Sequence, residues 1–194
     1  MEVQDTRENI LRVAKDVFFK KGLSGARMQE IADLAGINKA MLHYYFTSKE
    51  QLFNVVFENA FQIFAGHIIH LLNGDGSLEK KIDLYIDYTI DSLKKSPGIT
   101  VFVINELNTN PERITGMFAG EGLIDLSLFK RQVQEQYGEE IDAEMLFLDM
   151  VSLCIYPFIA QPIFKRLMKI DEAAFEALMN QRKGWLKKRL LNNL

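Results

Sequence analysis

Histidine, cysteine and paired carboxylates build most catalytic and metal sites, and this chain is poor in the first two. It has three histidines (His43, His67, His70) and one cysteine, Cys154. His67 and His70 are spaced i, i+3 and could share a metal, but no HExxH-type or carboxylate–histidine pattern accompanies them. A lone Cys154 supports neither an intramolecular disulfide nor a thiolate zinc site, and reads as a small buried apolar residue. No glycine-rich phosphate loop or nucleophile elbow is present. An all-helical enzyme is therefore the weaker expectation; no catalytic residue, metal or cofactor is assigned. Residues 27–49 offer a different chemistry. Asn38, Lys39, Ala40, Met41, His43, Tyr44 and Tyr45 follow one another closely, with Arg27 and Gln29 before them and Lys49 after. On a short helix such a set suits the major groove of DNA. Lysine can reach a phosphate or a guanine edge, alanine allows close backbone approach, and methionine can meet a thymine methyl.

Those side chains need elements to hold them. Ile10, Ala14, Val17 and Phe18 fall on one face of a helix over about 5–21, opened by Asp5 with Glu8 in a capping box and stopped at Gly22. After the connection Leu23-Ser24-Gly25-Ala26, a helix from Arg27 to Ala35 carries Met28, Ile31, Ala32 and Ala35 inward. Gly36 ends it with a positive φ and Asn38 caps a second short helix, Lys39 to Phe46. Two short helices joined by a glycine turn are a helix-turn-helix. Thr47/Glu50 and Ser48/Gln51 both have capping-box spacing for the next helix. That helix reaches about Leu72, some ~30 Å or more, long enough to link the head to a body as one rod.

The expected fold is all-α, with about nine helices: a three-helix head over 1–50 and a larger antiparallel helical body over 51–194. In the body, Ser77 caps a helix with Ile82, Tyr85, Ile86, Thr89, Ile90 and Leu93 inward. Ile99 to Ile104 has strand-like composition but no second run to pair with, so it reads as a buried helix. Asn110-Pro111 reads as a helix start, and a further helix is expected over about 123–137. Asp142 caps an apolar helix over about 143–168, kinked by Pro157 and Pro162. Asp171 caps the last helix, whose cations Arg182, Lys183, Lys187, Lys188 and Arg189 read as a solvated C-terminal half. The 143–168 helix is apolar nearly all round, more than a monomer of this size could bury, which points to a homodimer through the last two helices, about 143–168 and 171–192.

Composition excludes more than it selects. Apolar residues make up 48% of the chain, enough for a sizeable core and too many for a disordered linker. No run is long and apolar enough for a transmembrane helix, and the acidic N-terminus lacks a signal-peptide pattern, so a soluble, cytoplasmic protein without a membrane partner is expected. Net charge is −3. Residues 1–50 carry eight Lys/Arg against seven Asp/Glu, so bulk charge does not predict DNA binding and geometry must. A helical adaptor without DNA binding is the competing non-enzyme class.

Residues 7–53 resemble the DNA-binding domain of tetracycline-repressor-like (TetR) regulators. The resemblance rests on Arg7, Ile10-Leu11, Ala14, Phe18, Gly22, Ile31-Ala32, Ala35-Gly36-Ile37, Lys39-Ala40, Leu42, Tyr45-Phe46 and Ser48-Lys49-Glu50-Gln51-Leu52. It implies a transcriptional regulator, a ligand-responsive repressor that binds a palindromic operator in double-stranded DNA as a dimer. It places base and phosphate contacts at His43 and Tyr44, and implies dimerisation through a four-helix bundle of the last helices. It also implies a body pocket for an unidentified small-molecule effector. Candidate lining residues are Phe61, Phe64, Tyr88, Phe102, Asn105, Glu106, Met117, Phe118, Cys154 and Phe158, aromatic and Met side chains with a few polar groups. The chain departs from the family where Ala26 and Arg27 replace the usual Thr or Ser cap, where Ala40 replaces a frequent Gly, and where His43 replaces a Tyr. Those departures bear on the operator sequence.

Overall fold

The computed structural model describes residues 2–96, 98–113 and 126–192. Among them are ten helices and no strand: α1 (Glu2–Gly25), α2 (Met28–Ala35), α3 (Lys39–Tyr45), α4 (Lys49–Asn73), α5 (Leu78–Lys95), α6 (Ile99–Thr109), α7 (Ser127–Tyr137), α8 (Ala143–Ile159), α9 (Gln161–Met168) and α10 (Glu172–Asn192). The chain divides into two compact units between Phe61 and Gln62, inside α4, where the sequence reading drew the line at residue 50. The first turns of α4 belong to the first unit because they bury Leu52, Phe53, Val56 and Phe57.

Local chemistry accounts for most boundaries. α1 is interrupted at Gly22, whose φ of 64 requires glycine. Gly36, at φ 70, ends α2: its N–H donates to Asp33 O at 3.2 Å and that of Ile37 to Ala32 O at 3.0 Å, a left-handed glycine cap. Asn38, Ser48, Ser77, Asp142 and Asp171 each accept a first-turn N–H through the side chain. Burial then decides the ambiguous segment. The β-branched run from Ile99 is helix α6, with Ile99, Phe102 and Val103 buried.

Three expectations need correcting. The single helix over 143–168 is two helices, α8 and α9, bent by 69° at Ala160. Pro157 sits inside α8 without ending it, whereas Pro162 stands in the first turn of α9, where its missing N–H costs nothing. Asn110 does not start a helix; its N–H donates to Glu106 O at 2.8 Å and closes α6. The helix expected from 123 is described from Ser127, and residues 114–125 lie outside the described residues.

The first unit's core joins Ile10, Ala14 and Phe18 of α1 to Ile31, Ala32, Leu42, Phe46 and Phe53. Phe18 meets Phe53 edge-on, with ring centroids 5.0 Å apart. In the second unit α8 is central and packs against α5, α6, α7, α9 and α10. Among the described residues no single helix is long and apolar enough to cross a membrane; the bent pair of α8 and α9 together passes that test by length and composition only.

Candidate nucleic-acid interface

α3 is only seven residues long, so it holds its shape through its floor rather than its own length. That floor is Leu42, fully buried, and Phe46, buried at the C-cap. Ala32 and Ala35 let α2 cross close by. α1 then ties the pair down. Asn9 Nδ2 donates to Ala35 O at 2.9 Å, one of the carbonyls left over at the end of α2. Lys21 pairs with Glu30 at 2.6 Å, and the Arg7 guanidinium lies 5.4 Å from the Phe46 ring. Neither Asn9 nor Glu30 was singled out by the sequence reading, since an α1–α2 bond leaves no spacing signature.

On this floor the opposite face of α3 is open. Lys39, Ala40, Met41, His43 and Tyr44 are exposed, Tyr44 by 82%, and Tyr45 is half-buried with its ring edge-on to Tyr44 at 5.4 Å. The exposed set therefore projects from one end of a short helix with no core to serve. Asn38 is exposed too, but its Oδ1 is spent on the Met41 N–H at 2.7 Å, so its first duty is the cap.

The flanking residues are partly committed. Arg27 is exposed at the N-cap of α2 and makes no side-chain cap bond, consistent with a side chain that has no oxygen acceptor to offer. Gln29 is exposed and donates to Asp33 at 2.7 Å. The Lys49 ammonium donates to Ala26 O at 3.2 Å, which places a cation beside the start of α2 and uses one of its three donors. Thr47 N–H, expected to be open toward a phosphate, is already taken by Gln51 Oε1 at 2.8 Å. Gln51 thus serves as the back-reaching half of a capping box whose other half is Ser48.

The effector candidates scatter. Cys154, Phe102 and Phe158 are buried, Phe61 is buried within the first unit, Phe64 is half-buried, and Tyr88 and Asn105 are exposed. Glu106 accepts from Asn110 at 2.8 Å and pairs with Arg113 at 2.5 Å, so its charge is already partnered. Met117 and Phe118 lie outside the described residues, as do the side chains of His67 and His70. Burial pushes the Cys154 thiol up to about 12, which keeps it a neutral core residue. The Tyr85 hydroxyl is buried beside it and burial raises its pKa as well.

A larger opening lies elsewhere in the second unit. A groove of about 650 Å³ runs between α8, α9 and α10, walled by Tyr156, Pro157, Phe164, Leu178 and Trp185 among others. None of the effector candidates lines it. Around it the surface is unusually apolar: Tyr156, Ile163, Leu167, Met168 and Trp185 are each more than half exposed. Farther along α8, Met145 and Leu148 are more than half exposed as well.

Comparison with known proteins gives this geometry a lineage. Residues 10–56 match the family described as bacterial regulatory proteins, tetR family. The transcriptional repressor NicS of Pseudomonas putida is 28% identical over 162 residues, covering 78% of this chain and 74% of NicS. The transcriptional regulator RutR of Escherichia coli is 41% identical over 61 residues, which is 31% of this chain and only 29% of RutR. Among solved structures, a Clostridium perfringens protein described as a fatty acid metabolism regulator shares the fold at a TM-score of 0.69 and 19% identity, covering 96% of this chain and 98% of that one. With its helix-turn-helix assembled and its α3 face open, the chain is a DNA-binding transcriptional regulator of the TetR family.

Proposed function

We propose that this protein is a ligand-responsive repressor of the cytoplasm that binds a palindromic operator as a homodimer, with α3 in the major groove. The observation that carries the reading is the split of α3, an exposed Lys39–Met41–His43–Tyr44 face over a buried Leu42–Phe46 floor. Lys39 and Tyr44 supply phosphate or base contacts, Met41 and Ala40 face a thymine methyl or the sugar-phosphate edge, and His43 and Tyr45 adjust the fit. Arg27, Gln29 and Lys49 grip phosphates beside the groove.

One seven-residue helix contacts few base pairs, so two heads about 34 Å apart are needed for tight, selective binding. The face of α8, α9 and α10 is where a second copy docks in this reading. Its exposed Tyr156, Ile163, Leu167, Met168 and Trp185 are the kind of apolar and aromatic anchors that carry dimer interfaces. An effector bound in the body acts by favouring the arrangement in which the heads no longer match the operator spacing, which requires unequal affinity for the two arrangements.

The experiment is selection of binding sites from random duplex DNA with the full chain, followed by gel shift on the enriched sequence. An inverted repeat that the Lys39→Ala/Tyr44→Ala protein no longer retains supports the reading. Enrichment of no sequence, or unchanged binding by that variant, favours an adaptor without DNA recognition. Operator affinity that stays constant across a broad metabolite and drug library removes the effector from the proposal.

A further inference from the structure

Arg182 stands where α10 calls for an apolar residue. Phe175, Met179, Leu186 and Leu190 are the buried stripe of that helix, and position 182 falls three after Met179 and four before Leu186. The sequence reading grouped Arg182 with solvated cations, yet it is half-buried and burial lowers its pKa. Among the described residues no carboxylate pairs with it. Instead Nε and Nη2 both donate to Leu153 O, at 3.2 and 3.1 Å.

That acceptor has a reason to be free. In an α-helix the carbonyl of Leu153 accepts the N–H of residue 157, and residue 157 is proline. The proline has no N–H to give, and its ring crowds the same carbonyl away from the helix axis. A buried carbonyl without a donor costs free energy, so Pro157 is tolerated inside α8 only if something else supplies one.

We infer that Arg182 is a positioning residue for dimerisation, standing in for the N–H that Pro157 removes and thereby pinning α10 against α8 in one register. The inference rests on the reading of the α8–α10 face as the dimer surface. The fork has two donors aimed at one oxygen, so it fixes α10 both along and around its axis. The same guanidinium lies 5.5 Å from the Trp185 ring, and Arg189 lies 5.6 Å from it. Trp185 is 52% exposed and shares the groove wall with Tyr156, the neighbour of Pro157. Pro157 and Arg182 together set where the two aromatic anchors stand. A leucine at 182 would suit the stripe and leave Leu153 O unsatisfied.

The test is a suppressor pair read by sedimentation of the full chain over a concentration series. Arg182→Met keeps the volume and removes the donors; it should weaken the dimer about tenfold or more. Pro157→Ala restores the helical donor to Leu153 O, so the double variant should return to within about threefold of wild type. Arg182→Lys, with one flexible ammonium, should fall between. Should Arg182→Met fail to fold, recovery of far-UV helicity in the double variant carries the same meaning. Dimerisation unaffected by Arg182→Met, or a double variant as weak as the single one, overturns the assignment. A wild-type chain that stays monomeric at every concentration overturns the dimer reading itself, and this inference with it.

Discussion

The α3 face and the α8–α10 face are both exposed, and they are built on opposite plans. α3 presents polar and cationic side chains above a buried apolar floor, held by bonds that span a few residues or a neighbouring helix. The α8–α10 face presents Tyr156, Leu167 and Trp185 to the outside and keeps a cation, Arg182, at its seam. The first arrangement suits a wet, charged partner whose grooves are read by hydrogen bonds. The second suits another apolar surface that excludes water. A protein that must both read DNA and pair with itself keeps the two chemistries on separate helices.

Perturbations can separate the two plans. The largest expected effect is on the floor rather than either face. Phe53→Ala removes a fully buried ring stacked between Phe18 and Phe57, and should destabilise the first unit by about 3–5 kcal/mol in urea unfolding. Next, Lys39→Ala/Tyr44→Ala should cost about 2–4 kcal/mol in operator affinity by gel shift while leaving the melting temperature unchanged, because neither side chain is buried. Trp185→Ala should do the reverse. Sedimentation should show the dimer weakened by about 2 kcal/mol, with operator affinity falling only through loss of the dimer. If it weakens DNA binding of an enforced dimer equally, the separation fails.

Gly36→Ala is smaller. Its added methyl meets open space, so the cost is the left-handed backbone alone, about 1 kcal/mol by thermal unfolding. The smallest is electrostatic. Asp83, Asp87 and Asp91 of α5 face Lys187 and Lys183 of α10, with closest pairs at 2.8 and 2.6 Å. The hydrogen bond from Asp87 raises the Lys187 pKa above its ordinary 10.5. A raised lysine contributes stability below its unfolded pKa and loses it as pH rises through the folded one. Wild type should therefore exceed Lys187→Met by less than about 1 kcal/mol at neutral pH, with the gap closing above about pH 10.5 and in high salt.

Legibility follows the range of the interactions. Asn38, Ser77, Asp142 and Asp171 were readable as caps, and Gly36 as a turn, because their partners lie three or four residues away. The head residues were readable because their spacing is fixed by short helices in sequence. The body was legible only as helices. Nothing near residue 182 announces that its donors go to residue 153, so Arg182 looked like one of five solvated cations. Two of the others, Lys183 and Lys187, likewise face α5 acids a hundred or so residues away in sequence. The break at Ala160 was half legible: the prolines forecast a kink, but their positions relative to the first turn of α9 decide which of them bends the chain.

The most direct test of the account is a hydroxyl-radical footprint of the full chain on its selected operator. Two protected patches on one face of the duplex, centred about 34 Å apart and lost together in Lys39→Ala/Tyr44→Ala, are the expected result. A single patch, protection with no sequence preference, or a footprint indifferent to those two residues would contradict it.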